Sequence, residues 1–338
     1  MPTEPATSFD VLVLAAVRRI LPDVERLHGL ARLSGGASQE TWCFVAMGRS
    51  TTRELILRRA PPGVHPPPHI PGLAVEAAVI GVAGQSGVPV PEVIGTLDSC
   101  DGLGDGFLMA RVHGETIPRK LLRDAVFASI RPRLAYDLGQ ILARIHAIDI
   151  TTLPPLPTRV AATDIDELFA AYFADGQPRP VFEVAFRWLR ANAPKTSRRP
   201  HLLHGDFRTG NLMIGPDGVT AILDWELAHL GDPAEDLGWL TVNSWRFGTI
   251  DKPAGGFGSI DELQRGYHAG GGAVIAESEI ADWQTMGTLR WGIMCLGMRA
   301  RFDSGADRSV ERAMIGRRVS ETELDLLRLL APRLTGGT

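Results

Sequence analysis

His204-Gly205-Asp206-Phe207-Arg208-Thr209-Gly210-Asn211 sits between two short apolar runs, 201–204 and 212–214. Its glycines and small polar residues mark a loop rather than a helix. A third apolar run, 219–223, ends on Asp224-Trp225-Glu226, so Asp224 follows Asn211 by thirteen residues. The Asp-x4-Asn spacing places a carboxylate and a carboxamide along one loop, and a strand end supplies a further carboxylate.

These residue types suit phosphoryl transfer from a nucleotide. That reaction needs a carboxylate to accept the hydroxyl proton and oxygen ligands to hold Mg²⁺ against the phosphates. Asp206 is placed to face the acceptor and Asn211 to face a metal, with Asp224 as the charged second ligand. Hard oxygen donors of this kind suit Mg²⁺.

The flanking chain divides in two. The segment 9–21 reads as an amphipathic helix, with Phe9, Leu12, Val13, Ala16, Val17 and Ile20 on one face. Strands are expected at 27–33, 41–47 and 55–59, a proline-rich loop at 61–71, a helix at 73–86, and strands at 93–97 and 107–112. Beyond His113-Gly114 the pattern turns helical, at 131–148, 164–173 and 181–193. From 233 it is helical again, apart from a loop at 252–259. The expected fold is α+β and bilobal. An antiparallel-sheet lobe (1–112) precedes a mainly helical lobe (113–338), with a cleft between them.

Composition narrows the function. The chain has 338 residues, a net charge of −4 and 44% hydrophobic residues, so no bulk attraction to nucleic acid or anionic membrane is expected. Three scattered cysteines, Cys43, Cys100 and Cys295, form no metal spacing and argue for a reducing compartment. No stretch is long enough to span a membrane. The expectation is a cytoplasmic protein, a monomer or homodimer, acting on a small-molecule acceptor.

The Asp-x4-Asn spacing is that of the protein-kinase catalytic loop, where a later Asp also binds metal. With Gly231-Asp232-Pro233-Ala234-Glu235-Asp236-Leu237 behind it, the chain resembles the aminoglycoside phosphotransferase family, a branch of the protein-kinase-like fold. The resemblance implies Asp206 as catalytic base, with His204 orienting the loop. It implies Asn211 and Asp224 as Mg²⁺ ligands, and Asp236 as a buried anchor. It implies nucleotide binding by the 1–112 lobe, and catalysis and acceptor binding by the 113–338 lobe. It also implies a phosphate-covering hairpin at Gly35, Gly36 and Ser38, whose backbone N–H groups approach phosphate oxygens. Kinases place a lysine on the next strand, paired with a helical Glu. Here Leu57-Arg58-Arg59 offers arginine, and Arg58 with Glu76 is the expected pair. Because strand residues alternate, only one of Arg58 and Arg59 can line the cleft. Ala110 and Val112 are expected to meet the base of ATP or GTP.

Leu57-Arg58-Arg59-Ala60-Pro61-Pro62-Gly63, Asp224-Trp225-Glu226 and the tail around Trp291 and Ile315–Glu321 resemble the kinase-like domain fused to some acyl-CoA dehydrogenases. That implies a hydroxyacyl-CoA or related acceptor. Trp245, Arg290, Trp291 and Arg299 are candidate lining residues. An arginine-rich C-terminal third suits an anionic or neutral acceptor better than a polycationic one. Three alternatives remain: an aminoglycoside or macrolide phosphotransferase, a non-catalytic nucleotide- or CoA-binding regulator, and a metal-dependent phosphohydrolase built on His204, Asp206, Asp224 and Asp232.

Overall fold

The computed structural model describes residues 8–33, 39–64, 70–194 and 198–335. The N-terminal part contains α1 (Phe9–Ile20), β1 (Val24–Arg32), β2 (Glu40–Gly48), β3 (Thr52–Ala60), α2 (Leu73–Gln85), β4 (Val93–Thr96) and β5 (Asp105–Ala110). Its strands form one antiparallel sheet in the order β1-β2-β3-β5-β4. Strand β3 is central, and Leu55, Ile56 and Leu57 are all buried in it. It can be apolar on both sides because each face is covered. Leu55 and Leu57 pack with Val13, Ala16 and Val17 of α1, while Ala60 joins the core that contains Leu73, Ala77 and Ile80 of α2. Helix α1 is therefore an integral layer of this lobe. Val13, Ala16 and Val17 are buried and Phe9, Leu12 and Ile20 half-buried, so the apolar stripe of α1 is turned toward this lobe.

The C-terminal part begins with α3 (Pro118–Arg123), α4 (Leu134–His146), α5 (Ala161–Asp175) and α6 (Pro180–Ala191). Four short strands follow: β6 (His201–Leu203), β7 (Leu212–Gly215), β8 (Gly218–Ile222) and β9 (His229–Gly231). β6 pairs with β9, and β7 with β8, both antiparallel. The chain closes with α7 (Ala234–Leu240), α8 (Ile260–Ala269), α9 (Glu277–Asp303), α10 (Val310–Gly316) and α11 (Val319–Thr335). Helices α4 and α8 cross so closely that a Cβ at Gly266 would lie 1.9 Å from the Tyr136 carbonyl, which glycine alone permits. One continuous core joins Ile80 of α2 to Leu138, Phe182, Trp225 and Leu289 of the helical part. The two halves thus meet through packed side chains, with the β6–β8 loops at the seam. No helix among the described residues is long and apolar enough to cross a membrane.

The expected strands and helices lie where the hydrophobic pattern puts them, with ends shifted by a few residues, except that α7 ends at Leu240, well before the expected loop at 252–259, and only a 3-10 turn at Asn243–Trp245 intervenes. Segment 131–148 starts as a 3-10 turn at Arg131–Arg133 before α4 begins. The pattern misses α3 and β9, which are too short to show a period.

Candidate active site

The 204–211 loop is shaped from underneath by one carboxylate. Asp236, fully buried on α7, accepts the N–H of His204 at 2.8 Å and of Gly205 at 3.0 Å, and lies 3.2 Å from His146 Nε2. Burial works to raise its pKa; the hydrogen bond from His146 and the loop N–H outweigh that and hold it below the usual carboxylate range. Gly205 adopts φ +78°, and a Cβ there would meet the Leu227 carbonyl at 2.3 Å. His204 spends both ring nitrogens on the backbone. Nδ1 accepts from Asp206 N–H at 3.1 Å, so Nε2 carries the proton and donates to the Leu223 carbonyl at 3.0 Å. Burial pushes its pKa down. This imidazole is neutral and holds the loop to the Asp224 strand end; it is not free to move protons.

Asp206 receives donors from three directions. Trp239 Nε1–H reaches Oδ1 at 2.8 Å, Asn211 Nδ2–H reaches Oδ2 at 2.7 Å, and Arg208 Nε lies 3.0 and 3.2 Å from the two oxygens. The Arg208 guanidinium in turn covers the Trp245 ring at 4.7 Å. The carboxylate is thus fixed in one orientation. Burial still pushes its pKa above the usual range, against the opposing pull of Arg208, His204 and Trp239. Asn211 Nδ2 also bonds the Asp206 carbonyl at 3.0 Å. Both amide hydrogens of Asn211 are therefore committed to Asp206, which leaves its oxygen as the atom it can offer a ligand.

Across the seam, Arg58 of β3 collects three carboxylates. Its Nη2 lies 2.7 Å from Asp224 and 3.3 Å from Glu226, and its Nε 3.3 Å from Glu76 of α2. Asp224 sits at φ +66°, a left-handed conformation that costs a non-glycine residue energy. That turn sends Trp225 into the core, where it is fully buried, and leaves Asp224 and Glu226 beside the cleft. Glu76 is only 2% exposed, and burial pushes its carboxyl up to about 7 despite Arg58. Burial, together with the charge of Asp224, likewise pushes Glu226 up to about 7. Arg58 is held firmly charged: burial opposes it, but Glu76, Asp224 and Glu226 prevail. Arg58, Glu76, Asn211, Asp224, Phe107 and Met109 line one cavity of about 230 Å³. Its oxygen donors, Asn211 Oδ1 and the Asp224 carboxylate, with Glu226 alongside on the same Arg58, fit a hard divalent cation. Among the described residues no three or more His, Cys, Asp or Glu side chains group as a metal centre, so such an ion depends on Asn211 and on a ligand's own oxygens.

The structure separates the two arginines that the sequence leaves open. Arg59 points to the opposite face of β3, bonds Glu40 at 2.9 Å and the Leu103 carbonyl at 2.9 Å, and covers the Phe9 ring at 4.5 Å. Asp206, His204, Asn211, Asp224, Arg58 and Glu76 converge. Ala110 ends β5 and donates its N–H to the Glu92 carbonyl at 2.8 Å, so that N–H is already spent; Val112 follows outside the strand. Gly35, Gly36 and Ser38 lie outside the described residues. Arg290 proves to be structural, buried between Glu235 at 2.7 Å and Asp164 at 3.3 Å. Trp245 and Trp291 meet at a tilt, with ring centroids 4.8 Å apart, and are buried. A phosphohydrolase centre does not assemble, because His204 has no free nitrogen and Asp232 is occupied by Arg198 and the Ala234 N–H. Sequence reasoning missed Trp239, Arg208, Glu226 and His146. Only Glu226 left a sequence trace, in the alternation of Asp224-Trp225-Glu226.

An antiparallel sheet over a helical lobe, with an Asp-x4-Asn loop and an acidic strand end at the seam, defines a phosphotransferase of protein-kinase-like architecture. The chain belongs to the phosphotransferase enzyme family, whose model matches residues 29–272. Among solved structures it is similar to a provisionally named aminoglycoside phosphotransferase from Ralstonia eutropha JMP134 (20% identity, 94% of this chain and 97% of that one, TM-score 0.73). A choline/ethanolamine kinase family protein from Mesorhizobium loti is also similar (20%, 95% and 94%, TM-score 0.65). Its sequence relatives include mouse acyl-CoA dehydrogenase family member 10, 30% identical over 226 residues, or 62% of this chain and 20% of the relative. Human acyl-CoA dehydrogenase family member 11 is 28% identical over 221 residues, 62% of this chain and 27% of the relative. The chain thus spans about a fifth to a quarter of the length of these relatives.

Proposed function

We propose that this chain is a small-molecule kinase that moves the γ-phosphoryl group of ATP or GTP to a hydroxyl of a small metabolite, a hydroxyacyl-CoA. The reading rests on one observation: Asp206, oriented by Trp239, Arg208 and Asn211, is hydrogen-bonded to Asn211, which lines one cavity with Asp224, Arg58 and Glu76. In the reaction Asp206 accepts the proton of the acceptor hydroxyl as its oxygen bonds to the γ-phosphorus. The bond from phosphorus to the bridging oxygen breaks, and the nucleoside diphosphate leaves. Arg58, braced by Glu76, binds phosphate oxygens with a planar fork instead of the usual ammonium. Asn211 and Asp224, joined by Glu226, would hold Mg²⁺, which supplies charge neutralisation on the phosphates. His204 and Asp236 keep the loop in register. Residues 1–112 serve the nucleotide, with Ala110 and Val112 at its base and the Gly35–Gly36–Ser38 turn over its phosphates. Residues 113–338 serve the acceptor, in a cytoplasmic monomer or homodimer.

Two features support the acceptor class. The relatives are named acyl-CoA dehydrogenase family members, and the C-terminal helices are rich in arginine, which a polycationic aminoglycoside would not favour. The test is mass spectrometry. Protein, Mg²⁺ and ATP or GTP are incubated with pooled hydroxyacyl-CoAs, aminoglycosides and macrolides, beside an Asp206→Ala control. Gain of one phosphoryl group on a hydroxyacyl-CoA, absent in the control, is expected. Gain on an antibiotic would replace the acceptor assignment. Nucleotide binding with no transfer to any acceptor would favour the regulatory reading.

A further inference from the structure

A second cavity, of about 590 Å³, opens between the C-terminal end of α9, α10, the α10–α11 turn and the entrance to α6. Its volume is that of a ligand pocket. Arg179, Arg299 and Arg317 line it, with Phe302, Ser320 and Asp303. The single carboxylate among them is paired with Arg299 at 3.2 Å. Arg317 is exposed and has no ion-pair partner among the described residues. Arg179 places one nitrogen against Glu323 at 3.3 Å, while its buried Nε has no hydrogen-bond partner among the described residues. The cavity wall therefore carries three guanidiniums, of which Arg317 alone has no carboxylate partner among the described residues, with a hydroxyl and one aromatic side chain.

We infer that this cavity anchors the phosphorylated nucleotide end of the acceptor, the 3′-phospho-ADP group of a coenzyme A thioester. The inference rests on the kinase reading above and names how its substrate is held. Guanidinium forks match phosphate oxygens in geometry and charge, and Phe302 offers a face on which a purine stacks. The placement fits a tethered substrate. Asp206 touches Trp239, whose ring lies 5.3 Å from Trp245; Trp245 lies 4.8 Å from Trp291 on α9. Arg299 follows Trp291 by eight residues, about 12 Å along the helix axis. The dozen or so single bonds of a pantetheine arm span about 15 Å at polypeptide extension. These separations bring the Asp206 side within reach of a CoA seated on Arg299 and Arg317, with its arm passing around the buried tryptophan cluster rather than through it.

The test is calorimetric titration of the full chain with CoA, 3′-dephospho-CoA and pantetheine, for wild type, Arg317→Glu and Arg299→Ala/Arg317→Ala. Both arginines are largely exposed and carry no core contact, so the variants should fold; thermal unfolding and unchanged Mg·ADP affinity verify it. The expected result is CoA binding to wild type, weaker for 3′-dephospho-CoA and lost for pantetheine, with about a tenfold to hundredfold weakening in the variants. With a hydroxyacyl-CoA acceptor, KM rises in the variants while kcat holds. Equal CoA affinity in wild type and variants overturns the inference, and so does absence of CoA binding to wild type. Neither result touches the kinase reading, which stands or falls on phosphoryl transfer and its Asp206 control.

Discussion

Replacing Trp239 by Phe removes the one N–H that the indole gives Asp206, together with part of the indole's buried volume. The indole is 3% exposed, and its Nε1–H donates to Asp206 Oδ1 at 2.8 Å. A phenyl ring keeps the aromatic packing on Trp245 and under the Arg290 guanidinium. A hydrogen bond to a charged acceptor contributes about 1.5–3 kcal/mol, and a pKa unit corresponds to about 1.4 kcal/mol. Burial already holds Asp206 above the usual carboxylate range, and Trp239 is one of the groups opposing that rise. Without the donor, the carboxyl should take its proton about one to two pH units higher. A protonated base cannot accept the hydroxyl proton. The acid limb of kcat/KM against pH should therefore move upward by that amount, while the high-pH plateau stays within a few-fold of wild type. The assay is the pH–rate profile with the acceptor returned by the mass-spectrometric screen. A rate lowered equally at every pH, with the limb unmoved, would show that Trp239 only packs and would refute the reasoning.

Arg58→Met should lower the thermal midpoint most at pH 8, where buried Glu76 is stranded with Asp224 and Glu226; a stranded buried charge costs about 3–5 kcal/mol. Its deficit should shrink toward pH 5.5, because a carboxyl already pushed up to about 7 accepts a proton there; equal deficits at both pH values would contradict this. His229 faces the Leu227 carbonyl at 2.9 Å and Glu235 at 3.4 Å, and although burial opposes the charged ring, these acceptors raise its pKa. The stability it contributes is complete below the ordinary histidine value and is lost as pH rises through the raised one. The gap in thermal midpoint between wild type and His229→Asn should accordingly be widest near pH 6 and narrow toward pH 9. Gly205→Ala, forced to φ +78° with its Cβ 2.3 Å from a carbonyl, should cost at least about 3 kcal/mol in chemical denaturation and abolish turnover; near-wild-type stability would mean that the loop can relax.

Much of the site could be read before any coordinates, because its residues announce themselves locally. Gly205 and Asp206 through Asn211 are turn chemistry at a fixed spacing, and Asp224 closes an apolar run. Strand alternation requires Arg58 and Arg59 to part company, but not which of them enters the cleft; that is decided by whether α1 or α2 covers each face of β3. Trp239, Arg208 and His146 escaped notice for the opposite reason. Each is an ordinary core or surface residue in its own segment and acquires its role from a partner 2 to 90 positions away. Arg290 shows the reverse error. An arginine on a late helix looks available, yet Asp164 and Glu235 bury it as a structural cation. Strand β9 and helix α3 are short and owe their form to pairing and packing rather than to period.

Arg59 gives the first helix a stake in the chemistry. Its guanidinium rests on the Phe9 ring and grips Glu40 at the start of β2, while its neighbour Arg58 reaches the opposite side of the same strand. A chain begun at residue 21 would strip Val13, Ala16 and Val17 from Leu55 and Leu57 and release Arg59 from Phe9. The loosened strand would carry Arg58 with it. An expression boundary chosen there to trim an apparent appendage would yield a protein whose fault surfaced one residue away, as weak nucleotide binding rather than as poor folding of the catalytic loop.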